Sequence, residues 1–96
     1  IAKYGKGDFY DFHMDSNIFN HSSQRKLSIT VQLSDSIDYV GGDFEFSKDM
    51  GKLDQKKLRE KGTILVFPSF LYHRVTEVTK GDRFSLVGWY EGNDWV

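Results

Sequence analysis

The sequence predicts an all-β domain, either a sandwich or a barrel-like jelly roll. Three observations carry this reading. Apolar and polar residues alternate with a period of two in several short runs, the spacing that sends successive side chains to opposite faces of a strand. Glycine- and aspartate-bearing turn signals separate six or seven such runs. Only the charged stretch from Met50 to Lys61 departs from the pattern, with Leu53 and Leu58 its sole large apolar residues after Met50; it reads as a loop with a short helical turn. Periodicity alone does not choose between sandwich and jelly roll.

In chain order, Phe9 to Met14 is a short aromatic-rich strand. Ser16 to Lys26 is a long polar connection, the kind that often forms a lid or binding loop. Leu27 to Leu33 (LSITVQL) sets Leu27, Ile29, Val31 and Leu33 against Ser28, Thr30 and Gln32. A Gly41-Gly42 turn follows, with Phe44 and Phe46 opposed to Asp43 and Glu45. Gly62 to Phe67 is a buried-strand run closed by Pro68, the only proline. Tyr72 to Val78 and Arg83 to Tyr90 read as two more strands, separated by a turn at Thr79-Lys80-Gly81-Asp82.

Composition narrows the function. A chain of 96 residues is one domain, and it buries roughly 60–65% of its unfolded surface. Aromatic residues, 16% of the chain, enlarge what is a modest core. A net charge of −1 offers no basic field for nucleic acid phosphates. The absence of cysteine excludes disulfides and thiolate metal sites and suits a reducing cytoplasm. No apolar run reaches the ~20 residues that span a bilayer, and no signal-peptide pattern is present. The chain opens on IAKYG without Met, from which we expect a core domain, residues 1–96, within a longer protein.

Chemistry concentrates at YDFHMDS. Residues i and i+2 of a strand share a face, about 6.5–7 Å apart, so His13 and Asp15 can converge on one ion. Taken alone, the pair equally describes a polar strand surface or a His–Asp hydrogen bond. His73, at the start of a strand after the Pro68 turn, completes two imidazoles and one carboxylate, the ligand set of non-haem Fe(II) oxygenases. Three such ligands plus water also describe catalytic zinc. His21 lies in the polar connection and reads as a solvated loop residue. Arg83 and Ser85 share a strand face; a buried guanidinium needs an anion, and its planar fork matches a carboxylate. Topology tests this. A simple hairpin over residues 73–90 would set Arg83 opposite Val78, ~17 Å along the strand from His73. In a jelly roll the chain crosses to a facing sheet ~10 Å away, and the two residues come within reach.

These residues resemble the 2-oxoglutarate- and Fe(II)-dependent dioxygenases, and among them the prolyl 4-hydroxylase-like branch with its PKHD-type hydroxylases. The likeness runs from Tyr4 to Trp89. It rests on Tyr10-x-x-His13-x-Asp15, on LSITVQLSDS…GGDF, and on HRVTEVTKGDRFS from His73 to Ser85. The resemblance implies a double-stranded β-helix with His13, Asp15 and His73 as catalytic ligands of Fe(II). It implies Arg83 and Ser85 at the distal carboxylate of 2-oxoglutarate, Tyr4 lining the cosubstrate pocket, and Tyr10 and Trp89 beside the substrate. Where some relatives place a tyrosine on the next strand, this chain has Gln32, which can also donate a hydrogen bond to the cosubstrate. N-terminal elements that flank the barrel in that branch have no counterpart in these residues.

The implied reaction consumes O2 and 2-oxoglutarate, releases succinate and CO2, and hydroxylates an unactivated C–H of a prolyl or other amino-acid, peptide or protein substrate, with ascorbate a further candidate cofactor. Two other readings compete. A cupin-like metal protein without 2-oxoglutarate would use the same triad but leave Arg83 and Ser85 without a purpose. A non-catalytic jelly-roll module would bind peptide or sugar through Tyr10, Tyr72, Trp89 and Trp95 and hold no iron tightly.

Overall fold

A computed structural model describes residues 1–15, 25–47 and 51–92. Most of the polar connection after Asp15 lies outside these residues, as do His21 and Trp95. The described chain forms β1 (Ala2–Tyr4), β2 (Tyr10–His13), β3 (Arg25–Gln32), β4 (Tyr39–Gly41), β5 (Phe44–Phe46), a single helical turn α1 (Gln55–Leu58), β6 (Ile64–Pro68), β7 (His73–Val75), β8 (Val78–Gly81) and β9 (Arg83–Glu91). Strands β1 and β4 are too short to show a period and have no counterpart in the sequence reading. The helical turn sits inside the charged segment, as expected, capped where the Lys57 backbone N–H donates to the Asp54 carboxylate (3.3 Å). Among the described residues no helix is long and apolar enough to cross a membrane.

The strands form a four-stranded sheet ordered β1-β9-β3-β6, a three-stranded sheet ordered β2-β7-β5, and the pair β4-β8. All the ladders are antiparallel. The first two sheets face each other as a jelly roll, the double-stranded β-helix. Alternation in β3 has an unexpected sense. Its polar side points inward: Ser28 is 1% exposed, Gln32 5%, and Ser85 beside it on β9 3%. Ile64 and Val66 on β6, at 63% and 52% exposure, mark the outer side, which they share with Ile29 and Val31 through the ladder pairs Ile29–Val66 and Val31–Ile64. A sheet whose inner surface carries hydroxyls, an amide and a guanidinium is lining a site rather than filling a core.

The core proper lies to one side of that lining. Phe44, Phe67 and Val75 form its buried centre, with Phe46, Leu53, Leu58, Leu65 and Leu71 packed around them. Each full burial of such a side chain contributes about 1.5–3 kcal/mol. Arg59 ties the end of α1 to β4 by donating to the Tyr39 and Gly41 carbonyls, both at 2.8 Å.

The segment after His73 corrects the sequence reading. Tyr72 to Val78 is not one strand, and Thr79-Lys80-Gly81 is not a turn. Strand β7 ends at Val75, where the Thr76 N–H donates to the Asp43 carbonyl (2.9 Å) and the Gly42 N–H donates to the Glu77 carbonyl (3.2 Å). These bonds bend the chain into β8, which pairs with β4. Gly81 then adopts φ +77°, and a Cβ there would lie 2.0 Å from the Asp38 carbonyl oxygen, so only glycine lets the two backbones meet. From Gly81 the chain enters β9, in the opposite sheet from β7. The sharp reversal at β8 replaces the simple hairpin and brings Arg83 and His73 to one cavity.

Candidate active site

That cavity measures about 440 Å3 and lies between the two sheets, lined from one side by His13, Phe44, His73 and Val75 and from the other by Thr30, Arg83, Ser85 and Trp89. Inward side chains of the four-stranded sheet form rows across its wall. Trp89 and Ser28 are cross-strand partners at one end, Val87 and Thr30 come next, and Tyr4 and Arg83 pair at the other end. Sequence expectation and structure agree on the wall but differ on how Asp15 arrives.

Strand β2 stops at His13, so the pleat does not carry Asp15 to its neighbour. The Asp15 backbone N–H donates to the Ser69 carbonyl (2.9 Å), hooking the loop after β2 onto the turn after β6. His13 and His73 are ladder partners across β2 and β7, with ring centroids 4.2 Å apart. Each ring is oriented by its own backbone. The His13 Nδ1–H donates to the Asp11 carbonyl (2.7 Å), and the His73 Nδ1–H donates to the Leu71 carbonyl (2.9 Å). A carbonyl only accepts, so each Nδ1 carries a proton, and in the neutral ring Nε2 keeps its lone pair. Both Nε2 atoms lie 3.4 Å from Asp15 Oδ1.

With both imidazoles neutral, three electron-pair donors face one another. A separation of 3.4 Å exceeds a charge-assisted hydrogen bond of roughly 2.7–2.9 Å, and the three ligand atoms lie within 4.8 Å of one another. Such a cluster repels itself unless a cation sits at its centre. The donor chemistry, two imidazole nitrogens and a carboxylate, fits a divalent first-row metal. Burial, the largest influence on Asp15, pushes its carboxyl up. Hydrogen bonds from His73 in its protonated form, and from Ser28 and Trp89, outweigh that and hold the pKa below the ordinary carboxylate range. Asp15 is therefore an anion wherever the protein is folded near neutral pH.

At the far end Arg83 is 6% exposed. Its guanidinium lies 5.6 Å over the Tyr4 ring, and no carboxylate pairs with it among the described residues. A buried cation without a counter-ion is costly, and the cavity is where an anion would relieve it. Ser85 shares its face, two residues along. Burial raises the Tyr4 phenol above its ordinary pKa against the pull of Arg83, so its hydroxyl remains a donor. Gly42, at φ +63°, runs alongside: a Cβ there would come 3.2 Å from Arg83 Cδ and 2.9 Å from Val78 Cγ2.

Of the other sequence candidates, Tyr10 stacks on His13 with centroids 3.7 Å apart and Trp89 lines the cavity wall. Gln32 does not reach the main cavity. Its amide donates to the Tyr39 hydroxyl (2.9 Å) and the Ser34 carbonyl (3.2 Å), and it lines a side cavity of about 20 Å3 shared with Arg83. Sequence reasoning missed Ser28, Ser69 and Arg25. Ser28 stood on the polar side of LSITVQL, but its relevance depends on pairing register, which no local pattern reveals.

Comparison with known proteins agrees with this geometry. A family profile described as the 2OG-Fe(II) oxygenase superfamily matches residues 1–91. A PKHD-type hydroxylase of Idiomarina loihiensis is 34% identical over 91 residues, covering 95% of this chain and 40% of that protein. One from Hyphomonas neptunium is 38% identical over 94 residues, covering 95% and 41%. The chain thus spans about two-fifths of the length of these relatives. A crystal structure of a Pseudomonas putida prolyl-4-hydroxylase superposes with a TM-score of 0.74 at 25% identity, over 94% of this chain and 49% of that one. With its triad, its buried arginine and its jelly roll, the chain belongs to the 2OG-Fe(II) oxygenase superfamily, and among its members it is similar to PKHD-type hydroxylases.

Proposed function

We propose that the protein hydroxylates an unactivated C–H of a prolyl or other amino-acid residue, free or within a peptide or protein, using Fe(II), O2 and 2-oxoglutarate. One oxygen atom enters the substrate as a hydroxyl. The other enters succinate as 2-oxoglutarate loses CO2. The observation that carries the proposal is the placement, in one cavity, of three mutually repelling ligand atoms and a buried arginine without a counter-ion.

His13, Asp15 and His73 would hold the metal, which supplies the oxidative chemistry and activates O2. The protein's own groups do the rest. Arg83 and Ser85 bind the distal carboxylate of the cosubstrate and fix its reach, and the Tyr4 hydroxyl adds a donor beside them. Phe44, Phe67 and Val75 keep water from the wall behind His73, which strengthens every charge interaction in the cavity. Tyr10 and Trp89, at the partly exposed mouth, offer flat apolar surface to a substrate side chain. Gln32 serves this end indirectly by bonding Tyr39. The relatives named PKHD-type hydroxylase support hydroxylation, and the prolyl-4-hydroxylase structure supports a prolyl substrate. We place the reaction in the reducing cytoplasm, in keeping with a chain that has no cysteine, with ascorbate serving as reductant.

Anaerobic titration with Fe(II) and then 2-oxoglutarate tests the proposal. The expected result is a weak visible charge-transfer band that is absent in Arg83→Ala. Metal binding without any band would instead favour a cupin-like metal protein, and no metal binding would leave a jelly-roll binding module.

A further inference from the structure

Asp15 presents two different oxygens. Oδ1 faces both imidazoles, and Oδ2 faces the other way into a network that the proposed reaction does not use. The Ser28 hydroxyl donates to Oδ2, and so does the Trp89 Nε1–H (3.1 Å). Ser28 Oγ also lies 2.9 Å from Ser69 Oγ. Directions follow by elimination. An ionised carboxylate only accepts, so the single Ser28 proton points at Asp15, and Ser69 must be the donor to Ser28. The network runs one way, from Ser69 through Ser28 to Asp15.

Its members are placed by the sheet. Ser28 and Trp89 are directly opposed across β3 and β9, so one rung of the ladder delivers both donors to the same oxygen. Ser28 and Ser69 are 1% and 0% exposed, and buried hydroxyls are retained only where partners satisfy them. The Arg25 guanidinium lies 3.8 Å over the Trp89 ring and covers one face of the indole.

The structure assigns to Ser28 and Trp89 the positioning of Asp15: together they bind Oδ2 and keep it turned away, so that Oδ1 alone serves the metal. This rests on the metal-site reading above. A carboxylate without those donors rotates about its Cβ–Cγ bond and offers either oxygen, or both. With them it is a one-oxygen ligand of fixed direction, and positions around the ion stay open for cosubstrate and O2. Outer-shell partners of this kind typically change metal affinity by about 10–100-fold.

The test uses Co(II) as probe, followed by its visible absorption and by equilibrium binding, in the unsubstituted protein, His73→Ala, Ser28→Ala and Trp89→Phe. Trp89→Phe keeps an aromatic ring for Arg25 and removes the N–H together with the five-membered ring. It is expected to bind Co(II) about 10-fold more weakly and to shift the Co(II) spectrum, while the metal-free unfolding midpoint stays at the unsubstituted value. Ser28→Ala is expected to weaken binding further. Co(II) affinity and spectrum unchanged in both variants would overturn the assignment and leave the metal site standing. Equal binding by the unsubstituted protein and His73→Ala would overturn the metal site itself, and this assignment with it.

Discussion

The two ends of the cavity are built on different principles. At the imidazole end every group is committed before any ligand arrives. Both histidine rings donate to backbone carbonyls, and Asp15 takes hydrogen bonds from Ser28 and Trp89. At the Arg83 end the main charged group has no protein partner of opposite sign among the described residues, and what surrounds it is space-defining: Gly42, Tyr4, Thr30 and Ser85. On the proposed reading, one end offers an ion ligands whose directions are already set by hydrogen bonds. The other is a socket whose charge is balanced only by what enters. A metal site gains from fixed ligand directions, whereas an anion site gains from an unspent donor fork.

This contrast predicts that the ends can be broken separately. The largest effect belongs to the fixed end: His13→Ala, Asp15→Ala or His73→Ala should each abolish turnover and metal binding, checked by assay and metal analysis of the purified variants. Survival of metal-dependent activity in His73→Ala would refute the triad. Next comes Arg83→Ala, which should raise the 2-oxoglutarate KM about 10–100-fold, the worth of a charge-assisted pair of hydrogen bonds, while metal affinity measured without cosubstrate stays unchanged. Loss of both properties together would mean that the ends are one cooperative unit. Tyr4→Phe removes a single neutral donor and keeps the ring, so a several-fold rise in the same KM is expected, from about 1 kcal/mol. Smallest, and aimed at space rather than charge, is Gly42→Ala: a methyl group 3.2 Å from Arg83 Cδ should raise the 2-oxoglutarate KM a few-fold and lower the thermal midpoint, while leaving metal affinity alone.

Much of this was legible in the sequence. His13 and Asp15 stood out as an imidazole and a carboxylate two apart in a strand, His73 as the second imidazole that completes a ligand set, and Arg83 with Ser85 as a shared-face pair that suits a carboxylate. The charged segment resolved correctly into a loop with one helical turn. Three things were not legible. Asp15 lies beyond the strand that seemed to carry it, and its position depends on a backbone bond to Ser69, distant in sequence. The turn-like composition of Thr79-Lys80-Gly81 conceals a strand, because Gly81 is required by the close passage of the Asp38 backbone and not by a hairpin. The polar side of β3 turned inward, against the usual sense of alternation, because the interior of this barrel is a cavity lined by polar groups and not a filled core. Each miss is a pairing or packing fact, decided by residues far along the chain.

The hydrogen bond between Trp89 and Asp15 joins residues 74 positions apart. A ribosome makes the chain from the N-terminus at roughly 5–20 residues per second, so His13 and Asp15 emerge several seconds before His73 and Trp89 exist. Two ligands alone are a poor trap for a divalent ion. On the proposed reading, a site that needs all three ligands and the Trp89 donor can assemble only after β7 and β9 have been made.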